Sequence, residues 1–277
     1  MRLFHSKHTK RNSCLKFWAV ERANDSAAFW KIQHPYGIIA MRIFIMNIFV
    51  TGASRGIGKA IANKLIAEGH EVFVSARNEE LLKDYNNYCV CDLATEIEKL
   101  GEFIQTNNID ILINNAGEYI YSPIEDMTLS QIEHIMKVNF EAPLYLISKA
   151  VPYMKTKKWG RIVNIGSISG VMGEANASLY SATKSGLFGA TKALALELAE
   201  YGITVNTINP GWVDTEMGNS SAEEGEFTKD EIVECIPQRR FVAPDEIANM
   251  VKYLISEEAK GVTGQAINIC AGLTCGC

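Results

Sequence analysis

The stretch "FVTGASRGIGKAIA", Phe49 to Ala62, decides the fold. A short apolar run enters a turn that carries Gly52, Gly56 and Gly58 together with Arg55, and a helical pattern leaves it. Glycines allow a tight turn and let the backbone approach a ligand with no side chain in the way. The free N–H groups at the start of a helix, with the helix dipole, attract a pyrophosphate. The spacing Gly-x3-Gly-x-Gly is not the G-x-G-x-x-G fingerprint. A plain solvated turn therefore competes with a dinucleotide site until the surroundings are read.

Those surroundings are regular. Short β-branched runs at 47–50, 71–76, 88–92, 110–116, 161–167, 204–210 and 265–269 alternate with helical patterns at 57–68, 94–107, 129–154, 178–200 and 244–256. Strands apolar on both faces and separated by helices specify a parallel sheet covered on both sides. The expectation is an α/β fold: one Rossmann-like doubly wound parallel sheet of about seven strands, with no room for a second domain. Its ligands bind beyond the carboxyl ends of the strands, which makes the glycine turn a dinucleotide cradle. Pro143 falls inside the 129–154 pattern and should kink it or begin a new helix. Only about two helical turns fit between Arg77 and Asp92.

Bulk properties narrow the function. A chain of 277 residues with 47% hydrophobic residues is ordinary for a globular protein. A net charge of −5 argues against a general affinity for nucleic acid or anionic membrane. Cys14, Cys89, Cys91, Cys235, Cys270, Cys275 and Cys277 form no regular framework, so reduced cytoplasmic thiols are expected. Two of them, Cys275 and Cys277, are too few for a structural metal site, and no metal is expected. The apolar stretch 36–50 is too short and too polar to cross a bilayer and reads as a buried first strand. Residues 1–45 are basic and without apolar period, and read as a disordered appendage or an upstream start; the domain proper reads as 46–277.

The second strand ends in Val74-Ser75-Ala76-Arg77. An acid there would bind a ribose 2′-hydroxyl, whereas a cation suits the 2′-phosphate of NADP(H). No acid is present, and Arg55 could lie on the same side as Arg77, so NADP(H) is the expected cofactor. Tyr180 and Lys184 stand one helical turn apart. A nearby cation would lower the phenol pKa from its usual value of about 10, although such pairs are common on ordinary helices. Ser167 ends a strand, where its hydroxyl could donate to a substrate carbonyl oxygen. Asn139 is a polar residue on an apolar helix face: a satisfied core amide, or a water-positioning group behind Lys184.

Taken together, Thr51-Gly52-x3-Gly56-Ile57-Gly58, Asn114-Asn115-Ala116-Gly117, Asn139, Ser167, Tyr180-x3-Lys184 and Pro210-Gly211 resemble the short-chain dehydrogenase/reductase family over roughly 46–277. "GRIVNIGSISG" and "GITVNTINPGWVDTEM" are most similar to reductases of 3-oxoacyl groups on acyl carrier protein. The resemblance implies that Tyr180 protonates a carbonyl oxygen as hydride arrives, and that Ser167 holds that oxygen. It implies that Lys184 binds the nicotinamide ribose and lowers the Tyr180 pKa, and that Asn139 orders a relay water. Thr51, Gly52, Ser54, Arg55, Gly56, Ile57 and Gly58 would cradle the cofactor, and Arg77 and Asp92 would flank its adenosine. Asn115, Ala116 and Gly117 would pass beneath the adenosine ribose, with Pro210, Gly211, Val213 and Thr215 toward the nicotinamide. A mobile lid with few apolar anchors is implied over 216–237, and a homotetramer or dimer built on the 129–154 and 178–200 helices. The implied activity is NADPH-dependent reduction of a 3-oxoacyl thioester in fatty-acid synthesis, or of a free small alcohol, sugar or other ketone. A non-catalytic NADP sensor would ordinarily have lost Tyr180 or Lys184. Lys155, Lys157 and Lys158 are the cations available to an acidic carrier protein, while the Glu-rich stretch near Glu223 and Glu224 would repel it.

Overall fold

The computed structural model describes residues 16–18, 27–34, 37–224 and 228–275. The chain divides into a unit of residues 1–45 and a unit of residues 46–277. Within the first unit β1 (Lys16–Trp18), β2 (Ala27–His34) and β3 (Gly37–Phe44) form an antiparallel sheet in that order. The reading of 1–45 as an appendage otherwise lies outside the described residues. One expectation is corrected here. The apolar stretch 36–50 is not a single strand; it is divided between β3 and the first strand of the second unit.

The second unit holds β4 (Asn47–Thr51), β5 (Glu71–Ala76), β6 (Asn87–Val90), β7 (Ile111–Asn114), β8 (Gly160–Ile165), β9 (Ile203–Pro210) and β10 (Ala266–Ile269). They form one parallel sheet of seven strands in the order β10-β9-β8-β7-β4-β5-β6. The chain winds outward from β4 through β5 to β6, then crosses back to β7 on the other side of β4. In an open parallel sheet the ligand crevice lies at such a reversal, here between the carboxyl ends of β4 and β7.

Both sheet faces are covered, as the apolar strands demand. On one face, α1 (Gly56–Ala67) and α9 (Pro244–Ile255) enclose a core with Ile48, Val50, Ile61, Leu65, Ile113, Val251 and Leu254. On the other, α2 (Ile97–Thr106), α4 (Ala142–Lys157) and α6 (Ser178–Leu198) enclose Phe49, Leu100, Ile104, Leu112, Leu146, Ile162 and Val205. Alternate strand residues thus serve opposite cores, which explains why these runs show no polar alternation.

The remaining elements differ from the sequence reading in instructive ways. The 129–154 pattern divides into α3 (Leu129–Met136), a π-helical turn (Lys137–Glu141) and α4, with Pro143 at the start of α4 directly after the π-turn. A π-turn adds a residue to one turn and often marks a functional site; this one turns Asn139 inward. Between Arg77 and Asp92 there is only a 3-10 turn (Glu79–Leu81) before β6, less than the spacing allows. A short helix α5 (Ser169–Met172) follows β8, and the expected lid comprises α7 (Glu216–Glu224) and α8 (Lys229–Cys235). It is anchored better than expected, because Ala222, Ile232 and Ile236 are buried in the first core.

Lys155, Lys157 and Lys158 also fall differently. They precede β8, so in a parallel sheet they lie at the amino edge, away from the carboxyl-end crevice. Lys157 pairs there with buried Asp110, and Lys155 sits 4.6 Å from the Tyr201 ring centroid. Among the described residues, no helix is long and apolar enough to cross a membrane.

Candidate active site

The β4–α1 turn is built for close approach. Gly52 and Gly56 take positive φ, +67° and +54°, which L side chains adopt only under strain. A Cβ at Gly58 would lie 2.3 Å from the Gly52 carbonyl oxygen and 2.4 Å from Asn115 Nδ2. Asn115 Nδ2 donates to the carbonyls of Thr51 and Gly52, at 2.9 and 3.1 Å. Thr51 Oγ1 in turn accepts from the N–H groups of Asn115 and Ala116, each at 3.0 Å. These bonds sew the carboxyl end of β4 to that of β7. Gly58→Ala is expected to break this stitch, abolish nucleotide binding and cost about 2–4 kcal/mol, a loss that denaturant unfolding would measure.

The cleft above this turn has a volume of about 610 Å3. Of the expected cofactor residues, Gly52, Ser54, Arg55, Gly56, Ile57, Gly58, Arg77, Asp92, Asn115, Ala116, Gly117, Tyr180, Lys184, Pro210, Gly211, Val213 and Thr215 line it. Thr51 does not; it is buried beneath and positions the backbone. An open, positively curved backbone cradle with two arginines at one end fits a dinucleotide phosphate. Asp92 is held in its own turn, its Oδ1 accepting the Ala94 N–H at 2.8 Å.

Catalytic candidates converge at the other end. Tyr180 and Lys184 share one face of α6, with Lys184 Nζ 5.6 Å from the Tyr180 ring centroid. Tyr119 packs edge-on against Tyr180, centroids 5.1 Å apart. Lys184 is buried, and its Nζ donates to the Ile165 carbonyl at 2.9 Å. Burial pulls its pKa down to about 8. Desolvation of the Tyr180 phenol pushes its pKa up to about 12, and the Glu174 carboxylate adds to the rise while a hydrogen bond with Ser167 opposes it. The sequence reading has Lys184 lowering the phenol pKa; in the structure the balance runs the other way. The ammonium is aimed at the β8 carbonyl, and the loss of water around the phenol dominates.

Asn139 is buried and does not line the cleft. Its amide clamps the residue after Gly117: Oδ1 accepts the Glu118 N–H and Nδ2 donates to the Glu118 carbonyl, both at 2.8 Å. The Asn139 side chain is thus a satisfied buried amide, one layer behind Gly117. A Cβ at Gly117 would lie 3.2 Å from Lys184 Nζ and 3.3 Å from Asn139 Oδ1, so glycine leaves these groups their room.

Several cleft residues escape the sequence reading. Ser167 Oγ donates to Ser169 Oγ at 3.1 Å, and Ser169 Oγ donates to Glu174 Oε2 at 2.6 Å. Tyr119 OH donates to Glu174 Oε1 at 2.7 Å. Glu118 and Glu216 meet the two arginines, and His134 meets Glu118. The available signal was an acid directly after a glycine, Glu118 after Gly117 in the loop beyond β7 and Glu174 after Gly173 at the end of a short helix; the partners lie too far away in sequence to be found. Among the described residues, no cluster of His, Cys, Asp or Glu could hold a metal ion.

Comparison with known proteins agrees with this geometry. The family described as short chain dehydrogenase matches residues 46–226. The 3-oxoacyl-(acyl-carrier-protein) reductase FabG of Buchnera aphidicola subsp. Schizaphis graminum is 36% identical over 244 residues, covering 84% of this chain and 99% of its own. A variant of the actinorhodin polyketide ketoreductase, solved with NADPH, superposes with a TM-score of 0.79 at 37% identity, over 83% of this chain and 97% of that one. The ligand-free aldohexose dehydrogenase of Thermoplasma acidophilum gives 0.78 at 30% identity, over 84% and 95%. A glycine-stitched crevice at the sheet reversal, a Tyr-Lys pair on α6 and the match over 46–226 lead to one assignment: the chain is an oxidoreductase of the short-chain dehydrogenase family.

Proposed function

We propose that this protein reduces a ketone with NADPH, and that a 3-oxoacyl thioester, carried on acyl carrier protein or coenzyme A, is its substrate. The observation that carries the reading is the placement of the Tyr180 phenol: it lines the cleft that the glycine turn opens, together with Ser167 and with Lys184 one helical turn away, where a protonated phenol can serve as the donor for reduction. When bound, the nicotinamide supplies the hydride. Tyr180 gives its phenolic proton to the substrate oxygen, and Ser167 hydrogen-bonds that oxygen before and during the transfer. Lys184, itself near neutral pH in its titration, would hold the nicotinamide ribose and return a proton to Tyr180. Asn139 fixes the backbone of Glu118 and thereby the floor beneath the ribose. Arg55 and Arg77 would face the 2′-phosphate. The thioester reading is supported by the FabG and polyketide ketoreductase relatives and by the partly exposed Met172 and Met217 on the cleft wall. The reading includes a homo-oligomer built on α4 and α6, where Val151 and Leu194 line an apolar groove and Leu196 is 85% exposed.

A second substrate class is favoured by Glu174. A carboxylate inside the substrate half of the cleft, already accepting from Ser169 and Tyr119, suits a ketone that carries a hydroxyl, as sugars do. NADPH consumption with acetoacetyl-coenzyme A, a hydroxyketone and its deoxy counterpart separates the two. The thioester is expected to give the highest kcat/KM. A hydroxyketone preferred by about tenfold, with the preference lost in Glu174→Gln, would transfer the assignment to polar ketones. No consumption with any ketone would refute the reductase reading.

A further inference from the structure

Both arginines on the adenosine side of the cleft are held by carboxylates. Arg55 Nη1 donates to Glu216 Oε2 at 2.5 Å, and Arg77 Nη1 donates to Glu118 Oε1 at 2.7 Å. The two pairs are not equivalent. Arg55 and Glu216 are 61% and 71% exposed, so solvent and salt screen them. Arg77 is about as exposed as Arg55, at 60%, but Glu118 is only 27% exposed and is fixed at three further points. Its N–H and its carbonyl are both tied to the Asn139 amide, and its second oxygen, Oε2, lies 2.7 Å from His134 Nε2. A carboxylate only accepts, so that ring nitrogen carries a proton. Backbone and side chain are therefore both immobilised, and the carboxylate is aimed at Arg77 with its ordering entropy already spent.

We propose that Glu118 is a cofactor-discriminating residue: a fixed counter-charge that competes with the 2′-phosphate for Arg77, lowers the affinity for NADPH and leaves NADH binding nearly unchanged. The inference rests on the reading that Arg77 meets the 2′-phosphate. A dianionic phosphate brought to Arg77 must share that guanidinium with Glu118 or displace it, and either way two anions face each other across one cation. NADH has a neutral hydroxyl at this position and meets no such repulsion. The Asn139 clamp makes the device durable, because the backbone that carries Glu118 cannot swing aside without breaking two partly buried hydrogen bonds to a buried amide. His134 closes the other route by holding the carboxylate from behind.

The test is direct binding, read by nucleotide fluorescence or calorimetry on the full chain, with Glu118→Gln as the near-isosteric variant and Glu118→Ala as the second. Both variants are expected to tighten NADPH by about fivefold and to move NADH by less than about twofold. NADPH affinity that is unchanged or weaker in both overturns the proposal. Arg77→Ala separates this outcome from failure of the reading beneath it. NADPH weakened in Arg77→Ala but unmoved in the Glu118 variants removes the counter-charge alone. NADPH unmoved in Arg77→Ala removes the 2′-phosphate reading and the proposal with it.

Discussion

Tyr180→Phe is expected to lower kcat for ketone reduction by about 10^3-fold while changing NADPH affinity by less than about twofold. The substitution deletes one oxygen and its proton. The ring remains and keeps its edge-on contact with Tyr119, so the wall of the cleft is preserved. Lys184 also remains, since its partner is the Ile165 carbonyl rather than the phenol. What is lost is the phenolic proton that Tyr180 offers to a substrate oxygen beside Ser167. Ser167 cannot replace it, because an alcohol hydroxyl can hydrogen-bond the substrate oxygen but gives up its proton far less readily than a phenol. The same electrostatics predict how the wild type responds to pH. With the phenol near 12, reduction loses no donor between neutral pH and pH 9, and any decline there belongs to Lys184 as it deprotonates near 8. Stopped-flow or steady-state NADPH consumption would test both statements. A Tyr180→Phe enzyme retaining more than about a tenth of wild-type kcat would show that the proton comes from elsewhere.

How much of this was legible in the sequence follows from the range of the forces involved. The five inner strands were readable because they are buried on both faces, a one-dimensional signal fixed by burial against α1 and α9 on one side and α2, α4 and α6 on the other. The edge strands β6 and β10 are only partly buried and were readable from their short runs alone. The glycine turn was readable because sterics at Gly52 and Gly58 leave almost no other residue possible. The roles of Asn139, Lys184 and Glu118 were less legible, since each depends on a contact across the fold. Asn139 reaches Glu118 only because a π-turn rotates it inward, and no periodicity announces a π-turn. The tyrosine–lysine spacing suggested a cation that stabilises phenolate, yet spacing says nothing about desolvation, which decides both pKa values. The lysines before β8 looked like a docking patch until the parallel topology put them at the amino edge, beside Asp110. Residue types can be read locally; their electrostatic environment cannot.

The second large effect concerns the stability cost of Lys184. Removing its charge should make the protein more stable as it destroys activity. An ordinary Lys titrates near 10.5, and burial holds Lys184 near 8. Folding at pH 7 therefore carries a penalty for burying the ammonium, on the order of 3 kcal/mol from a shift of that size. Lys184→Met removes the penalty and leaves the Ile165 carbonyl without its donor, a loss of about 1 kcal/mol, so a net gain of about 2 kcal/mol is expected near neutral pH. For a domain of this size that corresponds to a rise in Tm of about 4–8 °C. The sign with pH is fixed by linkage. Because the folded pKa lies below the unfolded one, the native state binds fewer protons between pH 8 and 10.5, and the wild type gains stability as pH rises through that window. The penalty is complete below about pH 8 and gone above the ordinary lysine value. The advantage of Lys184→Met should thus be greatest at pH 7 and shrink steadily by pH 10. Thermal melts of both proteins at pH 7 and pH 10 measure this directly. A variant less stable than the wild type at pH 7 would mean that the Lys184–Ile165 bond outweighs the burial of the charge, and that the lysine is retained for the fold as well as for the chemistry.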